Sequence, residues 1–206
     1  MKNMNKLTIN QIREAFLKSF DSSSRVFSNL KTITLNSTEN RYLLDSSNEC
    51  INFDKVVKIV TKLTKQSLSS VDGLYFNTKE DTIYFIESKD TAISKDLLKG
   101  KIVQKAFHSE LIYLYILDVY FRKSEIKYDF FANNIVFIAL FSSNKTRDAY
   151  AGILKKYFQP NENNQTYIKL VNKPTKSLKQ PKLYFFKDFK VCFEDDENLL
   201  KSLEVI

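Results

Sequence analysis

Three residues in the first half of the chain have the types and spacing to do chemistry together: Asp72, Glu87 and Lys89. Glu87 and Lys89 stand two apart in an extended run, so they point to the same face of a strand. Asp72 lies at the head of the preceding apolar run, SVDGLYFN over residues 70–77. Two carboxylates converging at a strand edge offer hard oxygen ligands to a cation such as Mg²⁺. A metal held there activates water and neutralises charge building on a phosphate, while an ammonium group positions that water or helps deprotonate it. Context separates these residues from ordinary surface charge. Ile83–Ile86 is strongly apolar, so charge appears abruptly at the end of a buried strand. The plainer alternative is an Asp–Gly turn at residues 72–73 and a solvated strand edge at 87–89.

The elements that must position these residues begin with a hairpin. Ser70–Asn77 and Thr82–Lys89 read as its strands, joined by the polar turn Asn77–Asp81. Register decides whether the carboxylates meet, and a twisted or bulged pairing, or a loop that bends back, would bring Asp72 to the Glu87–Lys89 end. Upstream, the spacing of Phe53, Val56, Val57, Val60 and Leu63 predicts an amphipathic helix over 53–68, with Lys55, Lys58, Lys62 and Lys65 across its other face. Downstream, Asp96–Phe121 has no proline and is too long for a strand. It reads as a helix whose apolar second half must be buried. NIVFIALF, residues 134–141, is the best buried strand.

Outside this core, Thr8 or Asn10 caps a first helix running to Phe20. Residues 25–44 fit either a short strand or irregular packing. A short helix is expected over 146–158, strands over Tyr167–Val171 and Leu183–Phe189, and a closing acidic helix over 194–203. The fold class that follows is α/β in the broad sense (α+β), a mixed central sheet flanked by helices. With 206 residues and no Pro/Gly-rich linker, the chain reads as a single domain, 1–206. A helical lead-in spans 1–49, the core about 50–145, and a basic extension 160–206.

Val71–Asp72–Gly73–Leu74, followed by Ile86–Glu87–Ser88–Lys89, resembles the core motif of the PD-(D/E)XK, or restriction-endonuclease-like, nuclease superfamily. The proline frequent before the Asp is Val71 here. Helix 53–68, hairpin 70–89, helix 96–121 and strand 134–141 resemble that family's αβββαβ core. The resemblance implies that Asp72 and Glu87 bind metal, that the Ser88 carbonyl is a backbone ligand, and that Lys89 is the catalytic lysine. It also implies a further acidic residue from the preceding region, for which Glu49 is the candidate with Glu39 behind it. A Gln or Lys on the following helix completes many such sites, and Gln104 and Lys105 are placed for it. The implied cofactor is Mg²⁺ or Mn²⁺. The implied reaction is phosphodiester hydrolysis, in DNA rather than RNA, with restriction, phage defence or mobile elements as the biology suggested by fold analogy. Cutting both strands of a duplex would call for a homodimer. The competing reading is a catalytically inactive nucleic-acid-binding or assembly protein on the same core. A third is an interaction protein unrelated to nucleic acid. His108, the sole histidine, lies after the motif, which disfavours the cap-snatching viral nucleases; its expected role is structural or at the surface.

Bulk chemistry narrows the field. The net charge of +8 suits a polyanionic partner, because Lys and Arg release counterions when they meet phosphates. Lys95, Lys99 and Lys101 form one expected phosphate track beside the site. Lys173, Lys176, Lys179 and Lys182 form another, within a run extending to Lys187 and Lys190, with Tyr167 and Tyr184 interleaved for base stacking. Two cysteines and one histidine cannot supply a four-ligand zinc site. Cys50 and Cys192 therefore read as buried thiols in a reducing compartment. Three glycines leave no phosphate-cradling nucleotide loop. The N-terminus lacks a secretory h-region, and no run reaches the length of a membrane span, so a cytoplasmic protein with no membrane partner is expected.

Overall fold

The structure is a computed structural model that describes residues 5–20, 26–64, 68–94, 97–122, 128–129, 133–149 and 185–206. The chain enters through β1 (Asn5–Lys6) and α1 (Ile9–Ser19). Helix α1 starts where Thr8 closes a capping box: its hydroxyl accepts from Gln11 N at 3.2 Å, and the Gln11 side chain accepts from Thr8 N at 2.9 Å. Ile9, Ile12, Ala15 and Phe16 form its buried stripe. Next come β2 (Phe27–Asn29), the one-turn α2 (Leu30–Ile33), the small hairpin β3 (Leu35–Asn36) and β4 (Arg41–Tyr42), and β5 (Glu49–Asn52). Helix α3 (Phe53–Thr64) follows directly, with the Asn52 side chain accepting from Lys55 N at 3.0 Å as its cap.

The central hairpin is β6 (Gly73–Asn77) and β7 (Thr82–Lys89). A π-helical stretch over Leu98–Ile102 leads into α4 (Val103–Phe121), which returns the chain through β8 (Tyr128–Asp129) to β9 (Asn134–Phe141). Residues 143–149 are helical, and β10 (Asp188–Phe193) and α5 (Glu197–Ser202) close the fold. Six strands form the main sheet in the order β10-β9-β7-β6-β5-β2. The hairpin strands and β5 and β2 pair antiparallel, whereas β7, β9 and β10 run parallel. The result is a mixed α+β sheet with helices on its faces.

Alternation along β7 sorts its side chains between two cores. Ile83 and Phe85 join Phe53, Phe16, Tyr113 and Phe137 in the larger one, shared with α1, α3 and α4. Tyr84 and Ile86 join Leu30, Leu140, Leu199 and Leu203 in the smaller one, shared with α2 and α5. Rings meet edge-on around Phe85, at 5.9 Å from Phe53 and 5.4 Å from Tyr113. Each such side chain contributes roughly 1.5–3 kcal/mol by leaving water. Glu87 is the next residue in the Ile83–Phe85 row, and Lys89 follows it. A charged group therefore emerges from the middle of an apolar sheet.

The helix expected over 53–68 is present as Phe53–Thr64, with residues 65–67 outside the described ones and Leu68 not helical; the hairpin and the strand over 134–141 are present, and the fold class stands as expected. Residues 26–44, left open between a short strand and irregular packing, resolve into β2, α2, β3 and β4, and β5 adds a strand that the sequence did not suggest; each is too short to display a period. Two readings are corrected. The strand expected over Leu183–Phe189 runs instead over Asp188–Phe193. Phe185 and Phe186 pack in the same core with rings 5.0 Å apart, whereas adjacent residues of a strand point to opposite faces. The second half of α4 is not wholly buried: Ile112, Tyr113, Ile116 and Leu117 are, but Leu111, Tyr115 and Val119 are exposed. The expected strand over 167–171 and most of the helix expected over 146–158 lie outside the described residues. Among those residues no helix is long and apolar enough to cross a membrane.

Gly73 sits where α2 crosses the start of β6. A Cβ there would lie 2.3 Å from Ile33 Cδ1 and 3.1 Å from the Ile51 carbonyl oxygen. Gly73→Ala is therefore expected to lower stability by about 1–3 kcal/mol through overpacking. In an Ile33→Ala background the same change should cost clearly less. Urea denaturation of the four proteins measures this coupling, and strictly additive effects would contradict it.

Candidate active site

Ordinary antiparallel pairing brings the start of β6 to the end of β7. Gly73 pairs with Ile86, and Asp72 N donates to the Ile86 carbonyl at 3.0 Å. The ladder ends at the Gly73–Ile86 pair, and Asp72 lies just outside it in a bend, its amide offset by one residue onto the same Ile86 carbonyl, so the local irregularity considered from the sequence is present at Asp72. At Asp72 the side chain takes over from the backbone. Its Oδ2 accepts from Ser88 N and from Ser88 Oγ, both at 2.7 Å. Its carbonyl accepts from Phe53 N at 3.0 Å, which ties it to the first residue of α3. Gly73 is part of a strand rather than an Asp–Gly turn.

The segment before Asp72 is held by two helices. Ser70 Oγ donates to Asp54 Oδ1 of α3 at 2.6 Å. Val71 N donates to Ser109 Oγ of α4 at 2.9 Å, and Ser69 N donates to His108 Nδ1 at 3.1 Å. His108 therefore acts as a backbone acceptor that fixes this segment, the structural role anticipated for it. Satisfying these amides matters, since an unpaired buried donor costs about 1–3 kcal/mol.

Four charged side chains converge at the β6–β7 end. Glu87 is fully buried. Its Oε2 lies 3.0 Å from Lys105 Nζ, and its Oε1 is paired with the Lys89 ammonium. Lys105 Nζ also stands 3.9 Å from Asp72 Oδ1, and Lys89 Nζ donates to the Ser88 carbonyl at 3.1 Å. Burial pushes the Glu87 carboxyl up to about 7, and the neighbouring Asp72 charge adds to this, while Lys89 and Lys105 pull it back. Burial works against the charge on Lys89, but Glu87 and Asp72 outweigh it, so its pKa lies above the ordinary lysine value.

Beside this cluster lies a cleft of about 400 Å³, to which Asp72, Ser88, Lys89 and Asp90 contribute along with Asn52, Asp54 and residues 32–36. Asp90 is fixed from the other side. Burial opposes its charge, yet the Asn36 amide, the Lys145 ammonium and the Arg41 guanidinium together hold it below the usual carboxylate range.

The structure brings together Asp72, Glu87, Ser88, Lys89 and Lys105 and sets other candidates apart. Glu49 is not with them: its carboxylate pairs with Arg13 of α1. Glu39 pairs with Lys145. Gln104 and Lys101 are exposed. Lys95, Lys173, Lys176, Lys179 and Lys182, and the side chain of Lys99, lie outside the described residues; Lys187 and Lys190 of the same basic run are exposed. Two acidic residues of the cleft were not singled out from the sequence. Asp54 occupies the first turn of α3, a position that helix capping alone explains. Asp90 directly follows the Glu–Ser–Lys run.

Among the described residues, no group of three or more His, Cys, Asp and Glu side chains is arranged to hold a metal ion. The donor set at the β6–β7 end is two carboxylates and one backbone carbonyl. No family model, no curated protein and no solved structure matches the chain.

The raised Glu87 value has a defined consequence. The neutral carboxyl is favoured in the folded state, so the stability it contributes is fully present below about 4.5 and is lost as pH rises through about 7. In metal-free buffer, the stability of the wild type relative to Glu87→Gln should fall by roughly 3 kcal/mol between about pH 4 and pH 8. Urea unfolding across that range measures it, and a flat difference would return Glu87 to an ordinary carboxylate.

Proposed function

We propose that this chain is a divalent-metal-dependent nuclease of the PD-(D/E)XK type, hydrolysing phosphodiester bonds in DNA rather than RNA. One observation carries the reading: a fully buried Glu87 carboxylate shares Lys105 with Asp72 Oδ1 and Lys89 with the Ser88 carbonyl, beside a polar cleft that Asp72, Ser88 and Lys89 line. The donors fit Mg²⁺ or Mn²⁺. All are oxygens, they carry two formal negative charges, and no Cys or His stands among them to favour a softer metal. Asp72, Glu87 and the Ser88 carbonyl would hold the ion. When bound, it lowers the pKa of a water molecule and neutralises charge on the scissile phosphate.

The chain's own residues do the rest. The Ser88 amide and hydroxyl hold Asp72 Oδ2, which leaves Oδ1 turned toward Lys105 and Glu87. Lys89 keeps its proton, so it serves as a cation beside the phosphate and orients the attacking water. Exposed Lys101, Lys187 and Lys190, with the net charge of +8, favour contact with a polyanionic backbone. The order helix, hairpin, helix, strand around the cluster supports the same reading.

A second reading has its own support. Two ammonium groups already balance two carboxylates, as a non-catalytic nucleic-acid-binding protein would also allow. Asp72→Ala and Lys89→Ala should each lower Mn²⁺-dependent cleavage at least 100-fold, in line with the loss of one charge-stabilising group, and leave folding and DNA binding in place. Cleavage assays on DNA and RNA, run beside binding titrations, decide between the two. Salt-sensitive binding with no metal-dependent cutting of either substrate would establish the second reading.

A further inference from the structure

The two lysines contact both Glu87 oxygens and the Ser88 carbonyl, and Lys105 also faces Asp72 Oδ1. Lys105 contacts Glu87 Oε2 at 3.0 Å and stands 3.9 Å from Asp72 Oδ1; Lys89 contacts Glu87 Oε1 and donates to the Ser88 carbonyl at 3.1 Å. They reach the cluster from different places. Lys89 belongs to the same strand as Glu87, two residues on. Lys105 comes from α4, just beyond a π-helical stretch, a feature frequent at functional sites.

We propose that Lys105 is a resident counter-ion, which occupies the interval between Asp72 and Glu87 in the metal-free protein and is displaced when a divalent cation enters. The inference rests on the metal-site reading above and adds a regulatory element to it. A divalent ion sits about 2.0–2.2 Å from its oxygen ligands, so an ammonium bonded to the same carboxylates would face it at short range, with no counter-charge between. Both cations cannot keep those oxygens. Lys105 is the one that must leave, because it alone stands against both carboxylates from a separate element, whereas Lys89 contacts only Glu87 and the Ser88 carbonyl on its own strand. Metal affinity is thereby set below what two buried carboxylates would otherwise give. Lys105 is a positioning residue in this scheme, acting on Glu87 and Asp72 rather than on substrate.

The test is Mn²⁺ binding by calorimetry to the full chain, using wild type, Lys105→Met, Lys105→Arg and Asp72→Ala. Removing the counter-ion should tighten Mn²⁺ binding roughly tenfold in Lys105→Met. Lys105→Arg, which keeps the charge, should stay close to wild type, and Asp72→Ala should lose binding. In chelator, Lys105→Met should melt several degrees below wild type, since Glu87 loses a partner, and Mn²⁺ should erase most of that gap. Equal or weaker Mn²⁺ binding by Lys105→Met, with binding still lost in Asp72→Ala, would overturn the counter-ion role and leave the metal site standing. Mn²⁺ binding unaffected by Asp72→Ala, or absent from the wild type, would overturn both. Should Lys105→Met not fold, reductive methylation of wild-type lysines read by mass spectrometry gives the same answer. Lys105 should react several-fold faster with saturating Mg²⁺ than in chelator, and an unchanged rate would overturn the proposal.

Discussion

A carboxylate buried inside an apolar sheet is the constraint around which this molecule is organised. Glu87 continues the row of Ile83 and Phe85 into the larger core and is fully enclosed. Taking such a group out of water costs several kcal/mol even after relaxation, and the cost is offset only by close cationic partners. Lys89 and Lys105 are those partners, and Asp72 brings a second negative charge to the same point. Replacing a buried charge cluster with apolar side chains of similar volume is often stabilising. Its presence here, beside a cleft that Asp72, Ser88 and Lys89 line, is what the proposed metal site would explain.

Much of the surrounding structure holds that cluster in place. The antiparallel ladder ends at Gly73 and Ile86, the residues next to Asp72 and Glu87, and Gly73 packs closely under Ile33 at the start of β6. Helix α3 contributes Asp54 and the amide of Phe53; α4 contributes Lys105, His108 and Ser109. On the opposite face, Arg41, Lys145 and Asn36 converge on Asp90, and Arg41 also bridges to Glu194 at 2.8 Å. The cleft is therefore bounded on both sides by side chains with defined partners, which favours a preorganised site over one assembled by ligand.

The parts of the fold that could be read from sequence are those with a sustained period. β9 and β7 carry long apolar runs, and α3 alternates apolar and lysine faces, so all three were legible. β2 and β5 were not, because three or four residues cannot display a period and their burial comes from neighbours distant in sequence. Adjacent Phe185 and Phe186 imitated a strand while packing as a corner. At the site, Asp72, Glu87 and Lys89 were legible because charge interrupts a buried run, and Lys105 because it stands at the entry to the next helix. Glu49 was misplaced: its acidity was visible, but its partner Arg13 lies on α1, a contact no local pattern encodes. Asp54 went unseen because an acid in the first turn of a helix already has an ordinary explanation.

In the proposed site Asp72 and Glu87 share one divalent ion with the Ser88 carbonyl. Anomalous X-ray scattering from a crystal of the protein soaked in Mn²⁺ tests this. A single strong peak is expected about 2.0–2.4 Å from a carboxylate oxygen of each residue, with the Lys105 ammonium withdrawn from between them. A peak elsewhere, or none at saturating Mn²⁺ with Lys105 still bridging the two carboxylates, would contradict it.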